Sequence, residues 1–172
     1  MKNHINNRIS TVAVTGVFLA ISIVLLFLAG IVPGVELTMF AIAGILVTLV
    51  IKETSSLGGI CLYIASLLLA LLLLPNKFVL LPYAFFFGPY SIVREYIERS
   101  SNIAVRYILK LVVFNLLVGA GLLIFKGVFL SSMEMPDIVW PMLVIGAEVM
   151  FIVYDTILTL AVRVMNKARG RK

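Results

Sequence analysis

Six long apolar runs follow one another along this chain, separated by short polar gaps, and this pattern permits very few folds. A helix needs about 20 apolar residues to cross the hydrocarbon layer of a membrane, although a thinned bilayer accommodates a shorter run. Only helices and closed barrels satisfy every backbone group in lipid, and no run alternates as barrel strands do. We therefore predict an all-α polytopic membrane protein, a compact bundle forming one integral membrane domain over residues 1–172. The six predicted transmembrane helices are Ile9–Val32, Leu37–Ile51, Leu57–Leu74, Phe78–Val93, Ala104–Phe125 and Trp140–Met165.

The amino-acid composition agrees with this class. Hydrophobic residues make up 62% of the chain and charged residues 13%, against about 45–50% and about 25% in soluble domains. A soluble fold could not remove so much apolar surface from water, whereas a lipid bilayer solvates it.

The lysine and arginine residues predict an orientation for the bundle. Cytoplasmic ends of membrane helices are enriched in both residues. With the N-terminus in the cytoplasm, twelve of the fourteen fall on that side and only Lys77 and Lys126 on the other. Six spans then place both termini in the cytoplasm. The net charge of +6 marks this face and does not indicate nucleic-acid binding.

Side chains on which enzymes rely are scarce within the predicted spans. His4, the only histidine, precedes the first span, which excludes a histidine-dependent protease site at membrane depth. No glycine-rich loop ends in Gly-Lys-Ser/Thr, so the chain has no ATPase motif.

Cys61 is the single cysteine. Glu148 and Asp155 lie about 10 Å apart along one helix, too far apart for an aspartic-protease pair. We expect neither an enzyme nor a bound metal or cofactor.

Two carboxylates lie inside the last predicted span. Glu148 and Asp155 are seven residues apart, so they share one helix face within about 20°. Ionisable groups at membrane depth are costly, and we expect this face to point into the bundle. One interpretation is a wall for a ligand or an ion path. The other is a structural hydrogen bond or ion pair, with Lys110 or Asn115 as the partner.

The fifth span carries those two candidate partners. Lys110 and Asn115 are five residues apart, which places them about 140° apart around a helix. We therefore expect that they do not both face the sixth span squarely. Asn115 lies deeper and is the better candidate for a ligand contact.

The fourth span combines helix-breaking and aromatic residues. Gly88-Pro89 in mid-span predicts a kink and a freed backbone carbonyl, which a substrate could contact. Phe85, Phe86 and Phe87 cover most of the helix circumference, so at least one of them faces inward. These rings either stack against a flat heteroaromatic ligand or pack only against lipid and neighbouring helices.

Small residues form a strip along the first span. Ala13, Gly16 and Ala20 fall within about 60° of one another, and such strips let helices approach closely. The strip either docks inside the bundle or binds a separate subunit. Glu36 lies at the outer start of the second span, where the helix dipole stabilises a carboxylate. In this position it is placed to select a ligand.

These features together resemble the substrate-binding S components of energy-coupling factor (ECF) vitamin transporters of prokaryotes. The resemblance implies a plasma-membrane protein that captures a vitamin-like solute from outside, while separate coupling and ATPase subunits drive uptake. It also implies that the small-residue strip docks on the coupling subunit. The solute pocket implied by it is lined by Glu148, Asn115, Tyr83 and Trp140, and we add Asp155 as a ligand-binding candidate.

Two other classes remain open. One is a membrane scaffold of the cell-shape machinery, like the MreD-like proteins, which are also small six-helix bundles. The other is a small carrier that acts alone and couples transport to an ion through Glu148 and Asp155. Inverted repeats would favour such a carrier, and none is visible in the sequence.

Overall fold

The computed structural model describes the backbone of residues 2–129, 139–168 and 170, and the side chains of 11–121, 145–168 and 170. The described part consists of helices and short connections without a strand, which confirms the predicted all-α class. The six α-helices are α1 (Lys2–Ile31), α2 (Glu36–Glu53), α3 (Ser56–Leu73), α4 (Gly88–Ile97), α5 (Ile103–Phe129) and α6 (Val139–Ala168). A 3₁₀ turn (Lys77–Leu80) and a π-helix (Tyr83–Phe87) precede α4.

Four of the described helices are long and apolar enough to cross a membrane. They are parts of α1, α3, α5 and α6, namely Thr11–Ile31, Ser56–Leu73, Ile103–Gly121 and Ile145–Ala168. The helix α2 is 18 residues long but carries Glu36, Lys52 and Glu53 at its ends. The fourth predicted span is divided among three short helical segments.

The helix α2 is central to the bundle and packs against α1, α3, α4, α6 and the π-helix. Its buried face includes Phe40, Ala43, Gly44 and Val47. A side chain at Gly44 would collide with the hydroxyl of Tyr154 on α6 and with a π-helix carbonyl. The absence of a side chain at this position therefore allows α6 and the π-helix to approach α2 closely.

The predicted irregularity at Gly88-Pro89 takes the form of a change in helix type. The π-helix ends at Phe87 and runs directly into α4, of which Pro89 is the second residue. In the π-helix register, the carbonyl left without a partner by Pro89 belongs to Ala84. That carbonyl accepts a hydrogen bond of 2.7 Å from the Tyr63 hydroxyl of α3. The sequence predicted a carbonyl that is free to contact a substrate. This prediction is wrong for Ala84, because Tyr63 of α3 donates a hydrogen bond to its carbonyl.

Candidate functional site

An apolar cavity of about 500 Å³ lies between α2, the π-helix, α5 and α6. It is closer to the end of the bundle at which α2 begins, here called the Glu36 end. Its wall is mainly aromatic, from Phe40, Phe78, Phe85, Phe86, Phe87, Phe114 and Phe151. Ligand pockets are typically about 300–1,000 Å³ and lined by such side chains with a few polar groups. The cavity therefore has the size and lining of a small-molecule site.

Local structure explains why three consecutive phenylalanines line one cavity. Phe85, Phe86 and Phe87 all belong to the π-helix, whose wider turn differs from that of an α-helix. Opposite them, Gly121 of α5 contributes no side chain, and a Cβ there would lie 3.7 Å from Phe85. The rings line an internal space and also pack against neighbouring helices, as Phe86 does against Phe114 and Phe151. Stacking on a flat ligand stays a prediction.

Glu36 is the single ionisable group among the described residues that line the apolar cavity. Its carboxylate accepts a 2.9 Å hydrogen bond from the backbone N–H of Gly34, in the turn that leads into α2. Gly34 has a φ of +89°, a conformation that favours glycine. The turn thus holds one negative charge beside an otherwise apolar space.

A second cavity, of about 670 Å³, lies between α5 and α6 near the opposite end of the bundle. We call this the basic end, because α2 and α4 finish there with Lys52 and Arg94 and α5 begins there with Arg106 and Lys110. Arg106, Lys110, Arg163, Glu98 and Asp155 line the basic-end cavity. Its chemistry is therefore ionic, in contrast to the apolar cavity.

One aromatic pair separates the two cavities. The rings of Phe114 on α5 and Phe151 on α6 stack with centroids 4.3 Å apart and planes 22° apart. Phe151 lines both cavities. On α5 and α6, residues on either side of this pair line different cavities, so the two spaces follow one another along the helices.

Asp155 is the centre of the ionic cluster. Its Oδ1 accepts hydrogen bonds from the Tyr90 hydroxyl at 2.7 Å and from Arg94 Nε at 2.8 Å. Its Oδ2 accepts from Lys110 Nζ at 2.8 Å. Arg94 also donates to Thr159 through Nη2. Both oxygens of the carboxylate are thus satisfied by cations or a hydroxyl from α4 and α5.

Glu98, which directly follows α4, is the second carboxylate of the cluster. Lys110 Nζ lies 2.5 Å from its Oε1, and Arg106 Nη1 lies 3.0 Å from its Oε2. Partial burial alone would raise the pKa of Glu98. The hydrogen bond from Lys110 and the charges of Lys110, Arg94 and Arg106 outweigh burial and hold that pKa below its ordinary value. Glu98 is therefore charged at neutral pH.

The structure pairs the two predicted carboxylates of α6 with the two predicted residues of α5. Asn115 Nδ2 donates to Glu148 Oε1 at 2.8 Å, while Lys110 bonds to Asp155. Both side chains therefore reach the sixth span. Lys110 is buried and Asn115 is exposed, so the two residues do not face that span equally.

Four of the five residues predicted to bind ligand have described side chains, and these four do not meet in one cavity. Asp155 lines the basic-end cavity, and none of the four lines the apolar cavity. Tyr83 is fully buried, with its hydroxyl 2.8 Å from that of Ser66 on α3. Trp140 lies in the first turn of α6, but its side chain is outside the described part of the chain. A ligand role for the five residues stays a prediction.

Several residues in or next to the two cavities were not predicted from the sequence. Arg94 was interpreted only as a cytoplasmic charge, yet its side chain is 3% exposed and bonds to Asp155. The spacing of Tyr90, Arg94 and Glu98 at every fourth residue is a signal that places them on one face of α4. Phe114 and Phe151 carried no such signal, because phenylalanine is common on every face of a membrane helix.

The small-residue strip of α1 lies on the outside of the described bundle. Ala13, Gly16 and Ala20 are all exposed. A Cβ added at Gly16 would meet no atom within 4 Å. Of the two interpretations of the strip, internal docking is therefore wrong for this arrangement of helices.

Neither a protein-family model, a curated protein nor a solved structure matches this chain.

Proposed function

We propose that this protein is the solute-capture subunit of an ECF-type transporter in a prokaryotic plasma membrane. In this proposal the apolar cavity holds a small vitamin-like solute, and a partner complex supplies the energy for uptake. The observation that carries the proposal is the aromatic cavity beside Glu36, which is partly open to the surface of the bundle. Its size is that of a small-molecule pocket, and helix packing alone does not require a space of this volume.

The proposal includes six membrane crossings with both termini in the cytoplasm. The distribution of lysine and arginine supports this orientation. It is also supported by α2, which packs against α1, α3 and α6, three of the four helices that are long enough to cross. With the basic end in the cytoplasm, the apolar cavity lies in the outer half of the bundle, where a solute from outside would enter.

The lining of the apolar cavity suggests the chemical class of the solute. Phenylalanine faces stack on flat rings in offset or edge-to-face geometry. Glu36, next to these rings, attracts a cationic or hydrogen-bond-donating group. We therefore propose a flat, largely apolar solute with one amino or similar donor group.

The energy for uptake must come from another protein in this proposal, because the sequence carries no ATPase motif. The exposed strip of Ala13, Gly16 and Ala20 is proposed as the contact with a coupling subunit. Small residues allow the backbones of two helices to approach closely in lipid.

A substitution at Gly121 tests the solute site. In Gly121→Leu, a four-carbon side chain enters the apolar cavity opposite Phe85. The matched control is Gly119→Leu on the same helix, because Gly119 does not line the cavity and its Cβ would meet nothing within 4 Å. Both changes replace glycine by leucine and raise helix propensity equally.

The measurement is binding of a panel of vitamins and nucleobases to purified protein, by thermal shift and then by calorimetry. We expect at least one binder, and at least about a tenfold loss of its affinity in Gly121→Leu but not in Gly119→Leu. A panel in which no compound shifts the melting temperature contradicts the proposed function. So does a binder whose affinity is equal in both variants.

A further inference from the structure

The charges around the basic-end cavity do not cancel. Arg106, Lys110 and Arg163 line it together with Glu98 and Asp155, and Arg94 bonds to both carboxylates from behind the wall. All four carboxylate oxygens already accept from cations of this cluster. Four cations against two compensated carboxylates leave two positive charges without a counter-charge.

Arg163 and Arg106 have unused N–H donors at the mouth of the basic-end cavity. Within the part of the chain that the structure describes, Arg163 makes no hydrogen bond or ion pair, and it is exposed. Arg106 uses only Nη1, on Glu98. A guanidinium has five N–H donors arranged to match the oxygens of a phosphate. The mouth is therefore chemically suited to a phosphate group.

The rim of the basic-end cavity is apolar and open to the side of the bundle. Five of its residues are 42% to 64% exposed, namely Ile103, Tyr107, Leu111, Ile152 and Leu160. They follow α5 and α6 away from the basic end. A water-soluble anion gains nothing from such a rim, whereas the acyl chains of a lipid lie against it.

We propose that the basic-end cavity binds a net-anionic phospholipid, with its phosphate at Arg106 and Arg163 and its acyl chains along the groove between α5 and α6. Basic pockets between membrane helices are the usual sites for anionic headgroups. Arg106 lies in the first turn of α5 and Arg163 near the end of α6. Both lie at helix ends, as a headgroup at the membrane surface requires. This site is separate from the proposed solute cavity.

Native mass spectrometry of the full chain in detergent tests this proposal. The lipids are phosphatidylglycerol, which is net anionic, and phosphatidylcholine, which is net neutral, with identical acyl chains. Glycerol 3-phosphate serves as the soluble form of the same phosphate chemistry. Arg163→Gln removes the cation that makes no hydrogen bond or ion pair with the described residues, so the substitution breaks no such bond within the described part of the fold. Arg99→Gln is the matched control, because Arg99 is an exposed cation after α4 that lies over the Tyr96 ring and does not line the cavity.

We expect phosphatidylglycerol to bind at least about tenfold more tightly than phosphatidylcholine, as a charge-assisted contact provides. Arg163→Gln removes most of this preference, and Arg99→Gln leaves it unchanged. Equal binding of the two lipids overturns the proposal. Loss of the preference to the same extent in both variants overturns the proposal as well, because such a result would assign the preference to the net charge of the protein. Glycerol 3-phosphate binding as tightly as phosphatidylglycerol overturns the lipid as the source of the phosphate.

Discussion

Three side chains donate to the carboxylate of Asp155, and they come from two helices other than its own. Tyr90 and Arg94 belong to α4 and Lys110 to α5, while Asp155 itself belongs to α6. The side chains of Arg94 and Lys110 are 3% and 7% exposed. Cations held this far from water depend on their counter-charge, since an unpaired buried charge is very unfavourable.

The substitution Asp155→Asn should therefore destabilise the fold strongly. Asparagine keeps the size of the side chain but leaves Arg94 and Lys110 with Glu98 as their only shared carboxylate. Breaking a buried ion pair by removing one partner costs about 3–5 kcal/mol. The free energy of unfolding, measured by denaturation in detergent micelles, should fall by that order.

The neighbouring substitution Thr156→Val is the control for Asp155→Asn. Thr156 is exposed, and its hydroxyl bonds only to the carbonyl of Ile152 in its own helix. We expect a change within about 0.5 kcal/mol. Equal stability of Asp155→Asn and Thr156→Val would show that the ionic cluster does not hold the three helices together.

At the scale of single residues, the sequence was informative about which groups need partners. Glu148 and Asp155 were recognised because a carboxylate in lipid is costly, and the structure pairs them with Asn115 and Lys110. The role of Arg94 could not be deduced in the same way. An arginine at the end of an apolar run is satisfied equally well by water, by lipid phosphate or by a carboxylate.

Among the elements, the π-helix depends on a hydrogen bond from a different helix. Tyr63 of α3 donates to the carbonyl of Ala84, which Pro89 leaves without a backbone donor. The ring of Tyr63 also lies where a side chain on Gly88 would be. The geometry that brings Phe85 to Phe87 to the apolar cavity therefore rests partly on one tyrosine hydroxyl.

A double-mutant cycle tests this dependence. Tyr63→Phe leaves the Ala84 carbonyl without a donor, and an unsatisfied buried polar group costs about 1–3 kcal/mol. Pro89→Ala restores a backbone N–H in the register that reaches Ala84, so the cost of Tyr63→Phe should be smaller in that background. The measurement is the free energy of unfolding of the four proteins of the cycle.

The control for the cycle is Tyr96→Phe, which removes the hydroxyl of an exposed tyrosine on α4. We expect it to be neutral in both backgrounds. If Tyr63→Phe costs the same with proline and with alanine at position 89, the carbonyl of Ala84 is not what the hydroxyl stabilises.

Helix positions were predictable from the sequence, because each apolar run between charged gaps became a helix or a set of helical segments, with bounds within about four residues except at the start of α1, which lies seven residues earlier. The π-helix was not predictable in detail. Gly88-Pro89 indicates an interruption but does not say which register the preceding turn adopts. The cavities were not predictable either, since they depend on how far each helix rotates about its axis, and a uniformly apolar helix carries no signal of that rotation.

The whole molecule combines two spaces of opposite character along α5 and α6. The apolar cavity lies beyond the Phe114–Phe151 pair towards the Glu36 end, and the ionic cavity lies towards the basic end. In the proposed orientation, a solute from outside meets the aromatic wall and a lipid of the inner leaflet meets the cations. The proposed function assigns the exposed face of α1 to a protein partner.

The substitution Gly16→Leu tests that partner face on the intact protein. A leucine at Gly16 interrupts the strip that it forms with Ala13 and Ala20, and a Cβ there meets nothing within the bundle. Folding and solute binding should therefore be unchanged. The partner, however, can no longer approach the backbone of α1 closely. We expect the ATP-hydrolysing activity that co-purifies with the tagged wild-type protein from its native membrane to fall at least about tenfold, a loss of about 1.4 kcal/mol in contact energy.

Gly146→Leu is the matched control for Gly16→Leu, because Gly146 is exposed on α6 and a Cβ there also meets nothing within 4 Å. It makes the same chemical change on a different face of the bundle and should leave the co-purified ATPase activity intact. An equal loss in both variants would show a general effect of added bulk, and no loss in either would remove the α1 strip as the docking surface. Co-purification of cell-wall proteins without ATPase activity would instead favour the scaffold class. Only an activity lost in Gly16→Leu and kept in Gly146→Leu assigns the exposed face of α1 to a coupling subunit.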